Sequence, residues 1–106
     1  MAVIQRATWK VRPGKTQEFL ANVATAKKIL ERLGAKVRVL NEVVGKDAPC
    51  TLVIIESPDW KAFGERLEKM QTDSEWQGFF AKAALNNANP AADLIDTALS
   101  ADVPLG

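Results

Sequence analysis

Between Val3 and Val11 apolar and polar positions alternate. Val3, Ala7, Trp9 and Val11 fall on one side, with Gln5 among them, and Ile4, Arg6, Thr8 and Lys10 fall on the other. A period of two over this length predicts a half-buried strand, and Pro13-Gly14 ends it. From Thr16 the period lengthens. Phe19, Leu20, Val23, Ile29, Leu30 and Leu33 recur near helical spacing, with Lys27, Lys28, Glu31 and Arg32 on the wet side, so a helix is expected over roughly Thr16 to Leu33. Thr16 is the expected N-cap, Glu18 meets the helix dipole, and Gly34 supplies a left-handed stop.

Alternation returns over Ala35 to Val44. Val37, Val39 and Val43, with Asn41, share one side, and Lys36, Arg38, Leu40, Glu42 and Val44 share the other. The turn-rich stretch from Gly45 to Pro49 separates this strand from a third, Thr51 to Ser57. The short break implies an antiparallel hairpin, and the β-branched run of the third strand suits a central position in a sheet. Ser57-Pro58-Asp59 then reads as a helix start with Ser57 as N-cap, followed by an apolar stripe of Trp60, Phe63, Leu67 and Met70. Thr72 with Glu75 reads as a capping box, so the helix is expected to break there and restart with Trp76, Phe79, Phe80 and Ala83. Asn86 to Pro90 is the expected stop. The segment Ala92 to Val103 alternates, but alanine and aspartate are poor strand formers. Topology decides for a strand, because βαββα needs one more to complete a four-stranded sheet with helices on one face.

Composition narrows the function. The chain is one domain, residues 1–106, and at 47% hydrophobic and 25% charged it has the balance of a soluble globular protein. A formal net charge of +1, with basic and acidic residues interleaved, gives no electrostatic case for nucleic acid. The opening residues lack the plan of a signal peptide, and the longest uninterrupted apolar run, Leu52 to Ile55, is too short to span a membrane, so a cytoplasmic protein is expected. There is no histidine and no tyrosine, and the single Cys50 has no disulfide partner within the chain and no imidazole to activate it. No metal and no cofactor is expected.

The two sheet faces differ. Val3, Ala7, Trp9, Val37, Val39, Val43, Val53, Ile55, Ile95 and Leu99 form an apolar face suited to lie under helices. Ile4, Arg6, Thr8, Arg38, Leu40, Glu42, Leu52, Ile54, Glu56, Leu94 and Asp96 form a mixed one. That second face is too greasy to stand in water and too charged for a dry core. A second copy of the chain packed sheet to sheet about a two-fold axis resolves the conflict, with Arg6 and Arg38 free to pair with Glu42, Glu56 or Asp96. Alternatively these charges line a pocket in which Arg6 and Arg38 orient a small polar or anionic ligand. Trp76 and Phe80 are either core or the wall of a cleft between the second helical region and the sheet.

The opening strand with Arg6, followed by Val11-Arg12-Pro13-Gly14-Lys15, resembles the NIPSNAP-like branch of the dimeric α+β barrel superfamily, as does Asp73-Ser74-Glu75-Trp76-Gln77. The resemblance implies a ferredoxin-like βαββαβ fold of class α+β whose sheet closes a barrel across a homodimer, with an internal cleft where activity exists. Activities of the superfamily that depend on histidine, such as haem degradation, have no counterpart here, and Trp9, Trp60, Trp76 and Asn41 are the residues left for a cleft. Two functions follow as expectations: a homodimer that binds a small molecule or acts in interaction, or a cofactor-independent monooxygenase or isomerase acting on an aromatic or polyketide-like molecule. In the second, Glu42, Glu56 or Asp96 would serve as base if burial raised its pKa. An RNA-binding module of the same topology would show aromatics on its central strands, and Cys50 to Ser57 has none. A regulatory amino-acid-binding domain shares the topology as well.

Overall fold

The computed structural model describes residues 1–85 and 89–105. Its elements run β1 (Val3–Val11), α1 (Thr16–Arg32), β2 (Lys36–Glu42), β3 (Cys50–Ser57), α2 (Trp60–Thr72), α3 (Ser74–Leu85) and β4 (Ala92–Ala101). The strands form one antiparallel sheet in the order β2-β3-β1-β4, so β3 is interior, as its β-branched run requires. The final segment is a strand despite its alanines and aspartates, because pairing along the whole of β1 satisfies its backbone and outweighs propensity.

The core lies between the sheet and the helices in two clusters. Near the start of α1, Phe19 packs on Ala91 and Ala92, with Trp9, Val11 and Val23 around it. Near its end, Leu30, Ala35 and Val37 meet Val53, Ile55, Met70 and Trp76. Gly34 adopts φ +105, which a side chain would strain, and thereby ends α1 where expected. The expected side-chain cap from Thr16 does not form: Thr16 is already helical, and Lys15 precedes it without a capping bond.

Three boundaries shift. Ser57 belongs to β3 and is buried, so Asp59 caps α2 instead, its carboxylate accepting from the Ala62 N–H. The break before α3 falls at Asp73, which accepts from the Trp76 N–H and takes the role assigned to Thr72, while Glu75 turns to Arg32. β2 ends at Glu42, so Val43 leaves the helix-side face and stands exposed with Val44 in the connection to β3. The expected stop beginning at Asn86 falls in part on residues 86–88, outside the described residues.

The register also moves two side chains between faces. β1 and β4 pair from Val3 with Ala101 to Thr8 with Asp96, but Trp9 then pairs with Leu94 and Lys10 with Asp93. The intervening residue, Ile95, is a bulge, and a bulge switches which side the following positions occupy. Leu94, expected on the mixed face, therefore shares the side of Trp9 on the helix-bearing face, where it is 51% exposed. Asp93 takes its place opposite Lys10 on the mixed face and pairs with Arg12 at 2.9 Å.

Candidate functional site

The face turned away from the helices carries five of the expected residues, set out along its cross-strand rows. Arg6, Ile54 and Arg38 stand side by side on β1, β3 and β2. One row on, Thr8, Leu52 and Leu40 follow, and on the opposite flank Ile4, Glu56 and Lys36. Glu42 lies at the far end of β2, two residues beyond Leu40. Asp96 joins from β4 opposite Thr8 and accepts a 3.0 Å bond from the Arg6 guanidinium. Neighbouring side chains bury Thr8, although no helix covers it, while Leu40 remains 39% exposed. Arg38, Lys36, Glu42 and Glu56 form no ion pair among the described residues. The face thus joins Arg6, Arg38, Glu42, Glu56 and Asp96 on one surface and ties one of its two arginines down.

Trp76 and Phe80 are elsewhere. Trp76 packs on the Leu30–Val37 cluster behind the sheet, stacked obliquely on Phe79 at 5.7 Å, and Phe80 is exposed on α3. A solvent-open groove of about 520 Å³ runs between α1 and α3 past Asn22, Ile29, Gly78 and Phe79. At its end Arg32 bridges the two helices, bonding Asp73 at 2.8 Å and Glu75 at 3.0 Å.

Two carboxyls are held below the ordinary aspartate pKa. Asp73 is lowered first by the Arg32 hydrogen bond and next by the Trp76 N–H, and Asp93 first by the Arg12 hydrogen bond. A depressed folded pKa contributes stability above the unfolded value, about 3.9, and that contribution disappears as pH falls through the folded value. Thermal midpoints measured from pH 6 to pH 2 should decline at the acid end. The Asp73→Asn, Asp93→Asn double variant, which keeps the cap geometry but not the charge, should show a flatter decline. An unchanged slope would rule these pairs out as the source.

Sequence reasoning missed Arg66. This α2 side chain is 3% exposed, lies on the helix-bearing face of the sheet and donates to the Gln5 amide oxygen. Its second contact is the Met70 sulfur at 3.3 Å, its Nε has no partner among the described residues, and the Phe63 ring lies 5.5 Å away. Burial lowers its pKa. The available signal was spacing: Arg66 falls three residues after Phe63 and four before Met70. Among the described residues no cluster of three or more His, Cys, Asp or Glu side chains is placed to hold a metal ion, and no helix is long and apolar enough to cross a membrane.

No protein-family model matches the chain, and no curated protein matches it by sequence. Solved structures do resemble it. An uncharacterised NIPSNAP domain protein from Burkholderia xenovorans superposes with a TM-score of 0.72 at 18% identity, over 100% of this chain and 98% of its own. A NIPSNAP family protein of unknown function from Agrobacterium tumefaciens gives 0.69 at 15% identity, over 99% and 91%. SnoaB, a cofactor-independent oxygenase from Streptomyces nogalater, gives 0.62 at 21% identity, over 98% and 96%. At these identities the likeness concerns the fold, and on that ground the chain has the ferredoxin-like α+β architecture of the NIPSNAP domain structures, as its opening strand and Asp73–Gln77 stretch led one to expect.

Proposed function

We propose that the protein is a two-fold homodimer joined through the mixed sheet face, and that each copy binds a small molecule in the cleft between its sheet and its helices. The observation that carries the dimer is the uncovered face itself: half-buried Ile4, Leu52 and Ile54 beside Leu40, with charges of both signs at its edge that pair with none of the described residues. The shape supports it. The chain is a slab of 46 × 37 × 17 Å with a radius of gyration of 14.6 Å, against about 13 Å for a rounded domain of this length. Four strands of about eight residues present roughly 500 Å² before side-chain relief, the same order as the ~800 Å² per partner of stable interfaces.

The face is also self-complementary. On β2, Leu40 stands midway between Arg38 and Glu42 on one side of the strand. Turning this strand end for end about Leu40 sets Arg38 against the partner's Glu42, and the two-fold repeats the pair. A two-fold placed two residues along the strand, at Arg38, would instead set Arg38 against its own counterpart and be repelled.

Sedimentation velocity at micromolar concentration is expected to give a dimer. Arg38→Glu should weaken it, and Arg38→Glu with Glu42→Arg should restore it. A wild-type monomer would end the proposal, and failure of the double variant to recover would end this pairing.

The oxygenase reading draws support from the likeness to SnoaB in fold. Against it, neither Glu42 nor Glu56 is fully buried, and Asp96 is exposed and paired with Arg6. The binding reading therefore stands first.

A further inference from the structure

A guanidinium carries five N–H donors and is costly to bury without acceptors. Arg66 is buried with Gln5 and a thioether sulfur as its acceptors, a weak set for a full charge. Its Nε is unpartnered, and no carboxylate lies within ion-pair distance among the described residues. The surroundings of this charge are open on one flank. Gln5 pairs across the sheet with Leu99, Ala7 with Thr97 and Trp9 with Leu94, all on the helix-bearing side. The helices pack mainly on β2 and β3, and Phe19 of α1 covers β4 only at its start, at Ala92; farther along, Leu94 and Leu99 are each 51% exposed, and Thr97 is exposed as well. An apolar trough thus runs over β1 and β4 and ends beside a buried cation.

We propose that this trough binds an apolar monocarboxylate, its hydrocarbon lying on Ala7, Leu94 and Leu99 and its carboxylate accepting two hydrogen bonds from Arg66. The inference rests on the small-molecule reading above and supplies the ligand class. A carboxylate matches the planar fork of one guanidinium in charge and geometry. A phosphate monoester would bring a second negative charge to a site with a single cation and leave it unpaired. Entry is from the β4 side, and the incoming carboxylate takes over the place of the Gln5 amide.

Octanoate and 1-octanol separate the elements of the proposal, because they share a hydrocarbon and differ in the head group. Titration calorimetry on the full chain is expected to show octanoate binding at least tenfold more tightly than octanol. Arg66→Met should abolish that preference and leave octanol binding as it was, while Arg66→Lys should keep part of it. Equal affinity of the wild-type protein for both would overturn the arginine anchor and leave the trough standing. Absence of binding by either would overturn the trough and its ligand class, and the wider small-molecule reading would then fail only if a screen of chemically varied small molecules also left the thermal midpoint unmoved. An Arg66→Met variant that still prefers octanoate would overturn the assignment of the residue.

Discussion

Leu40→Asp is expected to yield a folded monomer. Leu40 lies on the edge strand β2, is 39% exposed within one copy and pairs with Leu52 on the open face, so a single subunit loses little core when it changes. In the proposed dimer the same position lies on the two-fold, and each substitution acts twice. Full burial of a leucine contributes about 1.5–3 kcal/mol, of which the 39% still exposed at Leu40 leaves roughly 1 kcal/mol for the dimer, and each aspartate replacing it must lose water near its own symmetry mate at a cost of several kcal/mol. Two copies together exceed about 3 kcal/mol, which is more than a hundredfold in dissociation constant. Sedimentation should show the variant as a monomer at concentrations where the wild-type protein is dimeric, with its circular dichroism unchanged. Leu20→Asp, on the exposed side of α1, serves as the control and should leave the dimer intact. If both variants remain dimers, the contact lies on another surface.

Element order was legible because each strand and helix has a clear period, and punctuation stands where the chain turns: Pro13-Gly14, Gly34, and Gly45 to Pro49. The caps were legible in kind but displaced by a residue or two, since Ser57, Asp59, Thr72 and Asp73 can all accept from a helix N-terminus and only the packing of β3 and α2 chooses among them. Strand β4 was harder. Strict alternation put Leu94 with Asp96, and nothing in its residue types marks the bulge that separates them. The mixed face was read correctly for Arg6, Arg38, Leu40, Glu42 and Glu56 because β1, β2 and β3 keep a regular register.

Helix α2 exposes a different limit. Its apolar stripe reads as Trp60, Phe63, Leu67 and Met70, yet Trp60 is 50% and Leu67 38% exposed while Arg66 is buried. The helix is rotated so that Phe63, Arg66 and Met70 meet the sheet, and hydropathy alone would always choose leucine over arginine for that place. A local conflict of this kind, where burial contradicts residue chemistry, is what a binding site imposes on a fold.

That conflict gives the second large effect, and its sign is opposite to the usual one for a buried residue. Arg66→Met is expected to stabilise the ligand-free protein. Methionine has comparable length and flexibility, fits beside Phe63 and Met70, and carries no donors to leave unsatisfied. Replacing buried ionic groups by packed apolar side chains gains about 1–4 kcal/mol in favourable cases, and each kilocalorie moves the midpoint of a domain of this size by about 4–8 °C. The thermal midpoint should therefore rise by at least about 4 °C without ligand. Saturating octanoate should raise the midpoint of the wild-type protein and leave that of the variant nearly unmoved, because binding stabilises only the state that binds. A residue kept solely for structure would behave in reverse: its removal would lower the midpoint, and the carboxylate would make no difference to either protein. A fall in the midpoint of Arg66→Met would mean that Gln5 and Met70 satisfy the guanidinium better than their chemistry suggests, and that the arginine belongs to the core.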